Sequence, residues 1–237
     1  MFFGYTGCVS VLYIVATPIG NLGDITFRAV ETLKSADVVA CEDTRRTLGL
    51  LTHFGIKKPL LSCRAANERA AAARIVDLLN KGRTVAYASD AGTPSVSDPG
   101  GITVQAAREA GHTVVPVPGA SAFASLVSVS GGMDKTVVFE GFLPQKPGRR
   151  KTRIGQLMAS GYAFVVYESP FRILKLLTDI AETDSTRAVV VGREMTKLHE
   201  EILSGSAAEI LGIFAEREKI AGEFSVYVSG KSAEKNP

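Results

Sequence analysis

The sequence predicts an α/β fold built as two domains, and three observations support this prediction. Between residues 11 and 117, short runs rich in Val, Ile and Ala alternate with stretches whose apolar residues recur at helical spacing. Such alternation is typical of a parallel sheet whose strands are joined by crossover helices. After the Pro-Gly break at 118–119, the order of strands and helices changes. We therefore expect an N-terminal α/β domain over 1–119 and a C-terminal α/β domain over 120–237.

The individual elements follow from the apolar runs and their breakers. In the first domain, strands are predicted at 11–16, 38–41, 85–88 and 114–117, and helices at 26–36, 68–80 and 102–110. In the second domain, strands are predicted at 137–140, 163–168, 188–192 and 224–228, and a helix at 172–181. Two such domains leave a cleft between them, and clefts of this kind usually bind small ligands.

Composition limits the class of protein. The chain has 237 residues, of which 46% are hydrophobic and 22% charged, as in an ordinary globular protein. The apolar run at 2–15 lacks a basic flank and a stop-transfer pattern, so we expect neither a signal peptide nor a membrane span. The three Cys and three His show no metal-ligand or disulfide spacing, which predicts a reduced, metal-free cytoplasmic protein. A net charge of +3 means that a polyanion would need a local basic patch.

The first predicted strand ends in a glycine-containing turn, TPIGNLGD at 17–24. Where such a turn opens a helix, backbone N–H groups and the helix dipole favour an anion or a polar ligand. With Glu42 and Asp43 closing the second strand, the turn half resembles a dinucleotide-binding fingerprint. Only Gly20 and Gly23 of the required G-x-G-x-x-G are present, so a nicotinamide enzyme is an alternative that the pattern favours little.

Two further loops have unusual compositions. SDAGTPSVSDPG at 89–100 combines two carboxylates, small hydroxyl side chains and two prolines, which predicts a stiff, shaped loop. Asp98 is expected to cap the following helix, but capping does not account for the rest of the loop. PVPGASA at 116–122 places small residues where a backbone can approach a ligand closely, although a plain interdomain linker explains it equally well.

Taken together, these loops resemble the successive motifs of the tetrapyrrole methylase superfamily, and within it the branch that methylates ribosomal RNA. The resemblance covers most of the chain, in the same order as the family motifs. The matching segments are VATPIGNLGD (15–24), ADVVACEDTRRT (36–47), YASDAGTPSVSDPG (87–100), PVPGASA (116–122), EGFLPQKPGRR (140–150), YESPFR (167–172), REMTKLHEE (193–201) and GEFSVYVSG (222–230).

The resemblance implies a two-domain α/β fold that binds folded S-adenosyl-L-methionine in the cleft between the domains. It also implies a 2'-O-methylated cytidine in the decoding region of 16S rRNA as product, and a homodimer. Members of the family often continue into a small C-terminal helical module that this sequence lacks, so RNA affinity is expected to depend on fewer contacts or on the dimer. Carried over by position, the expected cofactor contacts are Pro18, Asp90, Ala91, Gly92, Val96, Ser121, Ala122 and Phe142.

A basic segment lies between residues 141 and 154, beside Phe142, and contains no Asp or Glu. Because Pro144, Pro147 and Gly148 interrupt it, we expect a loop. A charge run is often only a solvated surface, but its place between a strand and a helix favours contact with RNA phosphates. The expected RNA-binding residues are Lys146, Arg149, Arg150, Lys151 and Arg153.

A general base for the ribose 2'-hydroxyl would come from a carboxylate at a strand end in a matched motif. The candidates are Glu42, Asp43, Glu168 and Glu194, and the sequence does not choose among them. Each also fits an ordinary ion pair: Glu42 or Asp43 with Arg45 or Arg46, and Glu194 with Lys197.

Two alternative functions share the fold. A methyltransferase acting on carbon atoms of a tetrapyrrole ring would use the same cofactor loops but would have no use for a basic substrate segment. A non-catalytic RNA-binding module would keep the fold without binding the cofactor, and the intact loop at 89–100 argues against it.

Overall fold

A computed structural model describes residues 10–132 and 134–231. These residues form two compact units that divide between Ser121 and Ala122. Each unit has its own five-stranded sheet, which confirms the predicted α/β class. Of residues 1–10, only Ser10 lies within the described residues. Within the described ranges, no helix is long and apolar enough to cross a membrane.

The first unit contains a parallel sheet with the strand order β3-β2-β4-β1-β5. Helices α1 and α2 cover one face of this sheet, and helices α3 and α4 cover the other. Its elements are β1 (Val11–Val15), α1 (Phe27–Ser35), β2 (Val38–Cys41), α2 (Thr44–His53), β3 (Leu60–Ser62), α3 (Glu68–Asn80), β4 (Val85–Ala88), α4 (Gly101–Glu109) and β5 (Thr113–Val117).

Strand β4 shows why the strands of this sheet appear in the sequence as continuous apolar runs. All four of its residues are buried, with Ala86 and Ala88 in one core and Val85 and Tyr87 in the other. A parallel strand covered by helices on both faces has no solvent side, so apolar and polar residues do not alternate along it. The helices after β1 and β4 lie on opposite faces, and ligands in such sheets bind outside the carboxyl ends of the strands at that point.

The second unit contains a mixed sheet with the strand order β6-β7-β10-β8-β9. Strands β6 and β7 are parallel, and the remaining neighbours are antiparallel. Its elements are α5 (Ala122–Val129), β6 (Val137–Phe142), α6 (Pro147–Ala159), β7 (Ala163–Glu168), α7 (Ile173–Thr183), β8 (Ala188–Arg193), β9 (Glu201–Ser206), α8 (Ala207–Ala215) and β10 (Phe224–Val228).

The central strand of this sheet is β10, and all five of its residues are buried. Phe224, Val226 and Val228 pack in the core that contains residues of α6, α7 and α8. Tyr227 faces the other side and packs with Leu126 of α5. The last described strand of the chain therefore joins both layers of the second unit.

The expectation of a loop throughout 141–154 is wrong from Pro147 onward. Helix α6 begins at that proline. Proline is well accepted in the first turn of a helix, because its missing N–H has no intrahelical partner there and its φ angle is already helical. Pro147, which the sequence pattern predicts to interrupt regular structure, is therefore a helix start.

Candidate functional site

The loops that follow β1 and β4 are joined at the carboxyl edge of the first sheet. Thr17 and Gly92 exchange two backbone hydrogen bonds, with N···O distances of 2.9 and 3.0 Å. The Thr17 hydroxyl donates to the Ser89 carbonyl at 3.0 Å, and the Ser89 hydroxyl donates to the Gly92 carbonyl at 2.6 Å. These buried polar groups satisfy one another, so the two loops hold a single shape.

The third loop, at 116–121, is bonded to the same edge. The Ala16 N–H donates to the Val117 carbonyl at 3.0 Å, and the Thr93 hydroxyl donates to the Ala120 carbonyl at 3.4 Å. A Cβ atom on Gly119 would lie only 3.0 Å from that of Ala16. The small residues of this loop therefore allow a close approach between backbones.

A pocket opens at this edge, where polar groups from the loops meet apolar side chains. Two of the expected cofactor residues, Pro18 and Asp90, line it. The full lining is Thr17, Pro18, Leu22, Arg46, Thr47, Gly49, Leu50, Ser89 and Asp90. A concave site with a few polar groups among apolar ones is the usual form of a small-molecule site.

Asp90 is fixed in this pocket from two sides. Its Oδ1 accepts a hydrogen bond from the Asp43 backbone N–H at 2.9 Å, and its Oδ2 lies 3.8 Å from Nε of Arg46. The Arg46 side chain is 69% exposed, whereas that of Asp90 is 20% exposed. The carboxylate is therefore held in place, while the guanidinium remains available to a second anion.

Three carboxyl groups influence one another near the pocket. Burial raises the pKa of Glu42, and the negative charge of Asp90 adds to that rise. Burial, together with the charges of Glu42 and Asp90, raises the pKa of Asp98 to about 6. Negative charge is thus concentrated where β2 and β4 end.

The expectation that Asp98 caps helix α4 is wrong. Gly100 is the N-cap residue, and no side chain of the loop caps the helix. The buried Glu68 of α3 does so instead, because its Oε1 accepts from the N–H of Gly100 at 2.8 Å and of Ile102 at 3.0 Å. A cap from another helix leaves no local sequence signal.

The loop at 89–100 contains two unusual backbone positions. Ser95 has φ of +66°, a left-handed conformation that non-glycine residues adopt at a cost. Gly100 has φ of +136°, and a Cβ atom there would clash with the Ser95 hydroxyl. Strain of this kind is common at ligand sites. Of the expected cofactor residues in this loop, Gly92 is buried, while Ala91 and Val96 are exposed.

The remaining expected cofactor residues lie where the two units divide or in the second unit. Ser121 is the last residue of the first unit, and Ala122 begins α5. Phe142 ends β6 with its ring 58% exposed, in edge contact with the Tyr167 ring at 5.9 Å. The position of each residue is known within its own unit, and their contacts with a cofactor stay predictions.

Asp43 has a structural partner. It caps α2 and accepts hydrogen bonds from the backbone and side chain of Arg45, both at 2.9 Å. The side-chain bond and then the backbone bond from Arg45 hold the pKa of Asp43 far below its usual range. The anticipated pair between Asp43 and Arg45 is therefore present.

Glu168 and Glu194 also have partners. The Glu168 side chain is 1% exposed, and its Oε1 accepts from Arg172 at 2.7 Å. Lys197 donates to Glu194 at 2.8 Å, and this bond is the largest cause of the lowered pKa of Glu194. Among the described residues, Glu42 alone of the four candidate bases makes no ion pair.

The expected RNA-binding residues divide into two groups. Arg150 is buried and donates to Asp179 at 2.5 Å, Lys151 donates to Glu182 at 2.6 Å, and Arg153 donates to both oxygens of Glu140 at 2.7 Å. Lys146 and Arg149 are exposed and make no ion pair with any described residue. Only these two keep an uncompensated charge at the surface.

Sequence reasoning missed several polar residues of the pocket. Thr17 lies two residues after the apolar strand β1, and Ser89 directly follows β4, so hydroxyl residues at strand ends are a usable signal. Arg46 lies in the same motif as Asp43, but nothing in the sequence indicates that it reaches Asp90.

The chain matches a family model described as Tetrapyrrole (Corrin/Porphyrin) Methylases over residues 11–211. It belongs to this family of methylases, as the sequence motifs predicted. Among curated proteins, it is 47% identical to Ribosomal RNA small subunit methyltransferase I of Borrelia garinii subsp. bavariensis, over 94% of this chain and 100% of the relative. It is 46% identical to the protein of that name from Thermotoga maritima, over 93% of this chain and 98% of the relative.

Solved structures agree on the fold. A cobalt precorrin-4 methyltransferase matches with a TM-score of 0.66 and 16% identity, over 92% of this chain and 94% of that one. A uroporphyrin-III-C-methyltransferase from Thermus thermophilus matches with a TM-score of 0.62 and 19% identity, over 93% and 92% of the two chains. At such identities, the likeness shows a shared fold and not a shared substrate.

Proposed function

We propose that this protein transfers a methyl group from S-adenosyl-L-methionine to the 2'-hydroxyl of a cytidine in the decoding region of 16S rRNA. It would act on the small ribosomal subunit, in the cytoplasm, as a homodimer. The observation that carries this proposal is the 46–47% identity, across nearly the whole chain, to two proteins named ribosomal RNA small subunit methyltransferase I.

The pocket of the first unit fits the chemistry of this cofactor. S-adenosyl-L-methionine supplies a methyl group activated by a sulfonium centre. Hydroxyl groups and the Asp90 carboxylate suit its polar groups, and Pro18 and Leu50 suit its apolar surfaces. The residues proposed to hold it are Pro18, Asp90, Ala91, Gly92, Val96 and Ser121 of the first unit, with Ala122 and Phe142 of the second.

The main task of the protein is then to hold the ribose oxygen in line for transfer. Positioning of this kind can supply roughly 7–11 kcal/mol of the barrier. No covalent intermediate with the protein is required. The hydrogen bonds that join Thr17, Ser89 and Gly92 support this role, because a site must be rigid to position a substrate.

Glu42 is the candidate base that the geometry favours. It makes no ion pair with any described residue, and burial raises its pKa. A carboxylate with such a pKa accepts a proton more readily than an ordinary one, and a general base contributes about 10²–10⁴-fold. Asp43, Glu168 and Glu194 are better explained by their structural partners.

Lys146 and Arg149 are proposed to contact RNA phosphates, because both are exposed and lack acidic partners among the described residues. Arg150, Lys151 and Arg153 mainly hold α6 in place. These two cations do not exclude the alternative of a tetrapyrrole C-methyltransferase, because tetrapyrrole substrates carry carboxylate groups. That alternative is supported only by structural relatives at 16–19% identity.

The test is transfer of labelled methyl groups from S-adenosyl-L-methionine to small ribosomal subunits from a strain that lacks the modification, followed by nuclease mapping. We expect label in one 2'-O-methylcytidine. Asp90→Ala should abolish cofactor binding measured by calorimetry, whereas Asp77→Ala, at an exposed carboxylate on α3, should not. Label in uroporphyrinogen III instead of RNA would establish the tetrapyrrole alternative. RNA binding without cofactor binding would establish a non-catalytic module.

A further inference from the structure

Phe171 is exposed on a short turn between β7 and α7. Its side chain is 88% exposed, although a phenyl ring of this size is normally buried in a folded protein. The ring therefore lies outside the core of its unit and is accessible to a partner.

The turn that presents Phe171 is firmly anchored. On one side, the buried Glu168 carboxylate accepts from the Ser169 N–H and from the Arg172 guanidinium, both at 2.7 Å. On the other side, Ile173 is fully buried, and its N–H donates to the Ser169 carbonyl at 3.1 Å. Forming a buried ion pair is costly. Here it fixes a turn whose outermost residue is an exposed ring, so the ring is pre-organised rather than loosely placed.

Basic residues lie on the segments that leave the second sheet at the edge where Phe171 lies. Phe142 pairs with Tyr167 across the parallel strands β6 and β7, so the segments that follow the two strands leave the sheet at the same edge. The segment after β6 carries Lys146 and Arg149, and Lys175 lies four residues after Phe171 on α7. All three cations are exposed and form no ion pair within the described residues.

The acidic residues of the same region are already neutralised. The segment at 137–183 contains four of them, and each has a basic partner within the chain. These residues are Glu140, Glu168, Asp179 and Glu182. Phe171 is therefore the most exposed aromatic side chain of this segment, and the segment's unpaired charges are positive. Such a surface is suited to a polyanion that also presents flat rings.

We propose that Phe171 is a stacking platform for an unpaired base of single-stranded RNA, with Lys146, Arg149 and Lys175 contacting the neighbouring phosphates. This inference deepens the proposed function, because it names how the RNA substrate is held. Every base has an aromatic face, so the platform selects unpaired RNA and not a particular sequence. Selection of the target cytidine belongs to the methyl-transfer site.

The test uses the full chain and a ten-nucleotide single-stranded RNA labelled with fluorescein, with affinity read from anisotropy at fixed salt. Phe171→Ala should weaken binding about 5- to 100-fold, in keeping with measured effects of removing a stacked ring. Phe171→Leu should weaken it to a similar degree, because an aliphatic side chain has no aromatic face. The matched control is Tyr162→Ala, which removes an exposed ring at the amino end of β7 and should bind as the wild type does.

A second readout reports stacking directly. The sequence contains no Trp, so the fluorescence of Phe171→Trp comes from that position in the chain with only tyrosines as other fluorophores. This variant should retain affinity, and RNA should quench its tryptophan emission. If Phe171→Leu binds RNA as the wild type does, or if the tryptophan is not quenched, the stacking proposal is wrong. It is also wrong if Phe171→Ala changes only the oligomer mass in sedimentation, since the ring would then belong to a protein interface.

The two proposals fail separately. If wild-type protein labels small subunits with methyl groups while Phe171→Ala binds the RNA normally, the methyltransferase proposal stands and the platform does not. If wild-type protein labels no RNA in the presence of S-adenosyl-L-methionine, the methyltransferase proposal fails whatever the effect of Phe171→Ala.

Discussion

Oε1 of Glu68 accepts the backbone N–H of Gly100 at 2.8 Å, across 32 residues of sequence. The same oxygen accepts the N–H of Ile102, so a carboxylate from α3 caps α4. It also fixes the end of the loop that contributes Asp90 to the pocket. A single buried charge thus connects helix packing with the shape of the candidate cofactor site.

Replacement of Glu68 should therefore destabilise the first unit. Glu68→Ala leaves two N–H groups without an acceptor, and we expect a loss on the order of 2–3 kcal/mol in the free energy of unfolding. Glu68→Gln keeps an acceptor oxygen and should lose less. Urea unfolding followed by circular dichroism measures both, and equal midpoints for the wild type and Glu68→Ala would show that the cap is unimportant.

Substitution of the adjacent residues Arg149 and Arg150 should have different effects, on RNA affinity and on stability respectively. Arg150→Ala leaves Asp179 buried without its nearest partner, and we expect a loss of about 3 kcal/mol in unfolding free energy, limited by Lys151 at 3.7 Å from the same carboxylate. Arg149→Ala should change stability by less than about 0.5 kcal/mol. It should instead weaken RNA binding and lower the salt slope by about 1. If Arg149→Ala lowers stability and Arg150→Ala weakens only RNA binding, the roles given to the two side chains are wrong.

Asp98 should make stability depend on pH. Its pKa is raised from 3.8 to about 6 in the folded protein, by burial and then by the charges of Glu42 and Asp90. A raised pKa means that the folded state binds the proton more tightly, so the contribution is present below pH 4 and is lost as pH rises through 6. The unfolding free energy of Asp98→Asn, minus that of the wild type, should therefore be higher at pH 7.5 than at pH 4. The increase should be on the order of 1–3 kcal/mol. Urea midpoints at both pH values test this, and a difference independent of pH would contradict it.

Gly100 should resist substitution for reasons of space as well as backbone conformation. In Gly100→Ala, the new methyl group would meet the Ser95 hydroxyl, and the φ angle is unfavourable for alanine. Gly82→Ala is the matched control, since Gly82 also has a positive φ but nothing lies within 4 Å of an added Cβ. We expect Gly100→Ala to be the more destabilising by about 1–3 kcal/mol and to weaken cofactor binding. Similar effects at both positions would mean that the clash is relieved without cost.

The sequence was most informative where local pattern and burial coincide. Strands such as β4, buried on both faces, appear as apolar runs, and the family motifs follow them. The predicted elements do not include helices α2 and α8 or the short strands β3 and β9. Strand β3 has three half-buried residues, and β9 is an edge strand with exposed positions. Neither has a continuous apolar run.

The remaining errors concern partners that are distant in sequence. Asp98 satisfies every local rule for a cap, yet Glu68 occupies that role. Arg150 and Arg149 have the same sequence context, but Arg150 is buried because it pairs with Asp179, 29 residues away. A linear pattern records which charges are present and not which of them neutralise one another, so it predicted the basic segment without showing that most of its charge is internally paired.

The place of β10 in the second sheet has a consequence for biosynthesis. This strand pairs with both β7 and β8, so neither neighbour can complete its hydrogen bonds until residues 224–228 have left the ribosome. The first sheet needs nothing beyond β5, which ends at Val117. Domains generally fold as units during synthesis, N-terminal first. During synthesis, the nascent chain therefore has a folded first unit while the second unit still lacks its central strand. A chaperone that shields apolar strand edges would act during that interval.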